Sequence, residues 1–168
     1  MYFLSPAAAS SRRCRRVDNQ FITASAEETI ERGRDLAKSL APPVMVLLSG
    51  ELGSGKTTLA KGIVAGLGAA CEEDVTSPTF TLVHVYHNHC KVFHVDLYRV
   101  EQFRDLETLG LEDVFAEPAI LIIEWSEQFP LRSDWPALCV HLEHLEGDRR
   151  RIRVSRREPA SSQSLLTR

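Results

Sequence analysis

An α/β fold, with a mostly parallel central sheet flanked by helices and one antiparallel hairpin, is what this 168-residue chain predicts. Three observations carry the prediction. Two continuous apolar runs, "VMVLLS" at 44–49 and "AILII" at 119–123, have the pattern of strands covered on both faces. A glycine-rich stretch, "GELGSGKTT" at 50–58, joins the first run directly to a helical segment. Two strand-like runs, "FTLVHVY" at 80–86 and "KVFHVDLY" at 91–98, flank the short polar turn "HNHC" and read as a hairpin.

Taken in order, residues 1–19 ("MYFLSPAAASSRRCRR" and onward) are expected to lie outside the fold. They are rich in Ser, Ala and Arg and poor in acids, the composition of a targeting or disordered extension. "QFITAS" reads as a first strand. Ser25 then opens a helix, with Glu28 three residues on completing a capping box. Ala26, Ile30, Gly33, Ala37 and Leu40 give that helix one packing face, and "APP" at 41–43 ends it. A second helix runs from about Lys56 to the stop signals Gly66 and Gly68. "EQFRDLETLGLEDVF" at 101–115 is helical in tendency, and "ALCVHLEHL" and "RRIRVS" are late strands near an edge. The expected domain is 20–157, followed by a flexible tail at 158–168.

Composition narrows the function. The formal net charge is −3, but 22 of the 23 acidic and only 9 of the 20 basic residues lie in 18–148. A nucleic-acid grip normally shows a basic face, so the acidic body argues against direct RNA or DNA binding by the core. The apolar runs are strand length, too short to span a membrane. The four cysteines form no CxxC pair, which points to reduced thiols and a cytoplasmic location.

The stretch from Gly50 to Thr57 fits G-x-x-x-x-G-K-[ST] at every fixed position, with a buried strand before it and a helix after it. Glycines there let main-chain amides approach phosphate oxygens, and the helix N-terminus adds partial positive charge. The predicted nucleotide site is therefore Glu51, Leu52, Gly53, Ser54, Gly55, Lys56, Thr57 and Thr58. Lys56 is assigned to the β- and γ-phosphates, the Thr57 hydroxyl to Mg²⁺, and Thr58 to the α-phosphate. An acid at a neighbouring strand end must help with the metal. Asp96 ends "KVFHVD" and Glu124 ends "AILIIE". Glu124, the cleaner apolar-run-then-acid, takes the metal role and Asp96 a supporting or water-orienting one. Small hydroxyl residues in "VTSPTFTLV" at 75–83 are candidates for a γ-phosphate switch through Thr79 or its neighbours. His84, His87, His89, Cys90 and His94 crowd the hairpin. Strand alternation scatters them, so they read as polar surface in preference to a transition-metal site.

"GELGSGKTT", "VTSPTFTLV", "HVDLYR" and "LIIEWSE", in this order and spacing, closely resemble the TsaE (YjeE) family over about residues 20–155. Those are small P-loop ATPases of bacterial tRNA threonylcarbamoyladenosine biosynthesis. The resemblance implies ATP/ADP and Mg²⁺ as ligands, TsaB and TsaD as partners, and tRNA contact only through that complex. It also places Asp96 on a functionally important aspartate, Glu124 on a metal-associated glutamate and Trp125 on a nucleotide-site tryptophan. Strand alternation, by contrast, aims Trp125 away from the Glu124 face. A small-molecule kinase and a non-hydrolysing nucleotide switch are the alternative functions.

Overall fold

The structure is a computed structural model and describes residues 5–6, 19–102, 104–105, 116–129 and 131–159. Most of the N-terminal extension, the end of the C-terminal tail and most of the helix expected at 101–115 lie outside those residues. In chain order the elements are β1 (Ser5–Pro6), β2 (Asn19–Thr23), α1 (Ala26–Ala37), β3 (Val44–Ser49), α2 (Lys56–Gly66), β4 (Val83–His87) and β5 (Lys91–Asp96). They continue with β6 (Ile120–Glu124), β7 (Leu131–Arg132), β8 (Ala137–His144) and β9 (Arg150–Arg157). Single 3₁₀ turns occupy Glu72–Asp74 and Ser126–Gln128.

Seven strands form one mixed sheet in the order β2-β9-β8-β3-β6-β5-β4. The four central strands, β8, β3, β6 and β5, run parallel. The parallel character of the expectation resides there, while β4 at one edge and the β9–β2 pair at the other are antiparallel. β3 lies between β6 and β8, and every residue from Val44 to Leu48 is buried, as a run with no polar alternation requires. β1 pairs with β7 in a separate two-stranded ribbon.

One face of the sheet carries α1 and α2, which enclose Val46, Leu48, Ile122, Val140 and Leu142 with Leu59 and Ile63. The other face, with Met45, Leu47, Phe93, Val95, Leu121 and Ile123, is covered by connecting segments through Leu97, Val100, Leu131 and Trp135. Among the described residues no helix is long and apolar enough to cross a membrane.

Local signals set the ends of both helices. Ser25 Oγ accepts from the Glu28 amide at 3.2 Å. The Glu28 carboxylate in return accepts from the Ala24 amide, one residue before the cap. α1 stops at Ala37, short of the prolines, and its buried face differs from the expected one. Ala26 is exposed, while Thr29 is fully buried because its hydroxyl meets that of Thr23 at 2.8 Å and the Ser25 carbonyl at 2.9 Å. α2 ends in a Schellman motif: Gly68, at φ +65°, donates to the Ala65 carbonyl, and Ala69 donates to Val64.

The two helices touch backbone to backbone at Gly33 and Gly62. A Cβ on Gly62 would lie 2.0 Å from the Ile30 carbonyl oxygen, with no flexible side chain to yield. Gly62→Ala should therefore destabilise the fold by about 2–4 kcal/mol, the upper range for overpacking. Chemical denaturation measures this, and an unchanged midpoint would refute the contact.

Cys71 and Cys90 are free.

Candidate functional site

β3 delivers the chain to the C-terminal edge of the parallel strands, where the loop 50–55 turns back into α2. Three positive-φ glycines shape it: Gly50 at +133°, Gly53 at +78° and Gly55 at +99°. At Gly50 a Cβ would lie 2.1 Å from the Leu142 carbonyl oxygen, so this position is closed to side chains by space as well as by backbone angle. Gly55 is the N-cap of α2. It offers no side-chain cap, and the first turn carries no acid. The leading amides of α2 are left without intrahelical acceptors, the arrangement that receives an anion.

Lys56 is 5% exposed. Its Nζ donates to the carbonyls of Gly50 at 2.6 Å and Glu51 at 2.9 Å, and stands 3.7 Å from the centre of the Trp125 ring. Burial pushes its pKa down from the ordinary lysine value, and the nearby carboxylates of Glu124, Glu127 and Asp96 partly offset that. Of the other predicted loop residues, Glu51, Leu52 and Gly53 are exposed, while the Ser54 side chain is buried and its hydroxyl has no hydrogen-bond partner among the described residues. Thr58 is half-buried in the first turn of α2.

Thr57 Oγ1 donates to Glu124 Oε2 at 2.9 Å. This contact joins the first turn of α2 to the end of β6, 67 residues away, and brings together the two residues predicted to serve a metal. Glu124 is 2% exposed, and its other oxygen, Oε1, lies 2.8 Å from His94 Nε2. Asp96 pairs in register with Glu124 on the adjacent parallel strand, so both carboxylates face α2. Asp96 Oδ2 accepts from Ser77 Oγ at 2.7 Å and Thr79 Oγ1 at 2.6 Å, and Oδ1 accepts from the Tyr98 amide. The hydroxyl segment 75–83 is thus tied to the site through Asp96.

Trp125 departs from the simple strand argument. β6 ends at Glu124, and Trp125 takes a left-handed conformation at φ 59° that opens the 3₁₀ turn. Alternation no longer governs its direction, and the ring reaches the Lys56 ammonium while meeting the Tyr98 ring in a tilted contact, 4.9 Å between centres. Displacing that ammonium changes the ring's field. Trp125 fluorescence should therefore change on saturation with ATP or ADP, and a flat titration would contradict the placement.

Two site residues were not read from the sequence. Glu127 Oε1 accepts from the Gly50 amide at 2.9 Å and holds the 3₁₀ turn against the loop. His94 was grouped with polar surface but is fully buried. The available signal was its position two residues before Asp96, hence on the same strand face. His84 pairs with His94 across the β4–β5 ladder, His87 and His89 lie towards the turn, and among the described residues no group of three or more His, Cys, Asp or Glu is gathered to hold a metal.

Comparison with known proteins agrees with this layout. The crystal structure of Bacillus subtilus YdiB superposes with a TM-score of 0.60 and 26% identity, covering 88% of this chain and 90% of that one. The tRNA threonylcarbamoyladenosine biosynthesis protein TsaE of Treponema pallidum is 32% identical over 134 residues, 80% of this chain and 98% of the relative. The protein of the same name from Nostoc sp. is 39% identical over 131 residues, 74% of this chain and 76% of the relative. The family model described as Threonylcarbamoyl adenosine biosynthesis protein TsaE matches residues 23–153, which include every element from α1 to β8 and all the site residues above. This chain belongs to the TsaE family.

Proposed function

We propose that this chain binds ATP with Mg²⁺ at the 50–58 loop and hydrolyses it, as the ATPase subunit of the machinery that builds threonylcarbamoyladenosine at position 37 of tRNAs reading ANN codons. Its partners in this reading are TsaB and TsaD, which take the contact with tRNA. The observation that carries the proposal is the Thr57–Glu124 hydrogen bond. It sets a hydroxyl and a carboxylate, both hard oxygen donors, beside a glycine-rich cradle with uncapped helix amides.

These residues fit a magnesium nucleotide. Thr57 and Glu124 would hold the ion or its waters, and the loop amides with Lys56 would hold the phosphates. The metal supplies charge neutralisation on the transferring phosphoryl group. Lys56 is already at the loop, where its direct contacts are two carbonyls and a ring face. Phosphate oxygens would replace neutral partners by charged ones, which favours anion entry. Asp96, holding Ser77 and Thr79, is placed to relay the state of the phosphate end to segment 75–83. Leu52 and Phe80, 75% and 86% exposed, are apolar side chains beside these segments, as a protein-docking role would need.

The test is phosphate release from ATP with and without TsaB–TsaD, alongside a panel of small-molecule acceptors. Free phosphate stimulated by the partners is the expected result. A phosphorylated acceptor would make the protein a kinase, and tight binding without turnover would make it a switch.

A further inference from the structure

We infer that His94 is a positioning residue for the metal-associated carboxylate: it fixes the rotation of Glu124 so that one oxygen is presented to Thr57 and the metal position. This rests on the reading of Glu124 proposed above.

Four observations carry it. His94 Nε2 lies 2.8 Å from Glu124 Oε1, and Thr57 Oγ1 lies 2.9 Å from Oε2, so the carboxylate is held between two partners, one per oxygen. Both members of the inner pair are removed from water, at 0% and 3% side-chain exposure, so solvent cannot substitute for either. His94 Nδ1 is buried and has no hydrogen-bond partner among the described residues. The tautomer with its proton on Nε2 therefore strands no donor, and it gives Glu124 a donated hydrogen bond. Finally, the sheet register builds the arrangement. Asp96 pairs with Glu124 and His94 with Ile122 on adjoining parallel strands, which sets His94 diagonally behind Glu124 on the α2 face. The Tyr86 ring, 6.5 Å from the imidazole centre to centre, neighbours it on β4.

The glutamate side chain has three torsions, and the last of them turns the carboxylate about its own axis. With only the Thr57 contact it can rotate about the axis that contact defines. The second hydrogen bond removes that freedom, as outer-shell partners do for metal ligands, where their loss typically costs about 10–100-fold in metal affinity. A core histidine kept for packing alone would require only ring volume.

The experiment uses the full chain and three substitutions. His94→Phe keeps a ring without a donor, His94→Gln carries an amide donor to nearly the Nε2 position, and His94→Asn carries one too short to reach Glu124. Binding of the β,γ-imido analogue of ATP is measured by calorimetry in EDTA and across a Mg²⁺ titration, with ATP hydrolysis against Mg²⁺ in parallel. The expected result is metal-free affinity within about twofold of wild type in all three. The Mg²⁺ concentration for half-maximal effect should rise about tenfold or more in His94→Phe and His94→Asn, and return close to wild type in His94→Gln. Should His94→Phe not fold, the Asn and Gln pair makes the same comparison. Wild-type Mg²⁺ dependence in the Phe or Asn variant, or an equal loss in Gln, overturns the inference. A wild-type protein that binds the analogue with no response to Mg²⁺ instead sinks the functional reading beneath it.

Discussion

Lys56→Ala is expected to weaken ATP and ADP binding by about 100-fold in calorimetry and to abolish measurable hydrolysis. The ammonium is nearly fully buried, and its present partners are the Gly50 and Glu51 carbonyls. Exchanged for phosphate oxygens, each such bond gains a charged acceptor and contributes at least about 1.5 kcal/mol. Two of them correspond to about 3 kcal/mol, or about two orders of magnitude in affinity. The substitution should leave the empty protein folded. It removes the cost of burying a cation, which opposes the loss of two hydrogen bonds and the contact with Trp125. The thermal midpoint of the nucleotide-free variant is the control. A folded variant with wild-type affinity would refute the assignment of this loop.

Glu124→Ala should lower the hydrolysis rate by at least about 100-fold while changing nucleotide affinity by less than about tenfold, because catalysis depends on oriented charge that binding does not need. The loop amides and Lys56 stay in place, so the cradle survives. The same substitution strands the His94 Nε2 donor in a fully buried site, for about 1–3 kcal/mol of lost stability. Glu124→Gln separates the effects. It keeps the shape and a hydrogen-bonding oxygen, so stability should return while the rate stays low. If Glu124→Ala hydrolyses ATP at the wild-type rate, the metal role moves to Asp96, the other buried carboxylate on this face.

What could be read from the chain followed the range of each interaction. The glycine-rich turn from strand to helix was legible because glycine spacing, lysine and threonine act within nine residues of one another. The Ser25–Glu28 capping pair and the Gly68 stop were legible for the same reason. Ala26 and Thr29 were misjudged because apolar periodicity does not register a buried threonine paired with Thr23. His94 was misjudged because five polar residues on one hairpin look alike until the sheet shows which one faces Glu124. Trp125 escaped the alternation rule when its backbone turned left-handed at the strand end.

By itself the sequence determined the glycine-rich loop between strand and helix, the two buried runs that become β3 and β6, and the pair of strand-end acids. Each follows from neighbours in the chain: backbone permissiveness, continuous hydrophobicity and helix geometry. Only the tertiary structure decided which partners those acids take, since Glu124 meets Thr57 and His94 while Asp96 gathers Ser77 and Thr79. These partners lie between 17 and 67 residues from their carboxylates. The register of the parallel strands sets His94 beside Glu124, and the packing of α2 and of the 75–83 segment at the strand ends brings the three hydroxyls to the carboxylates.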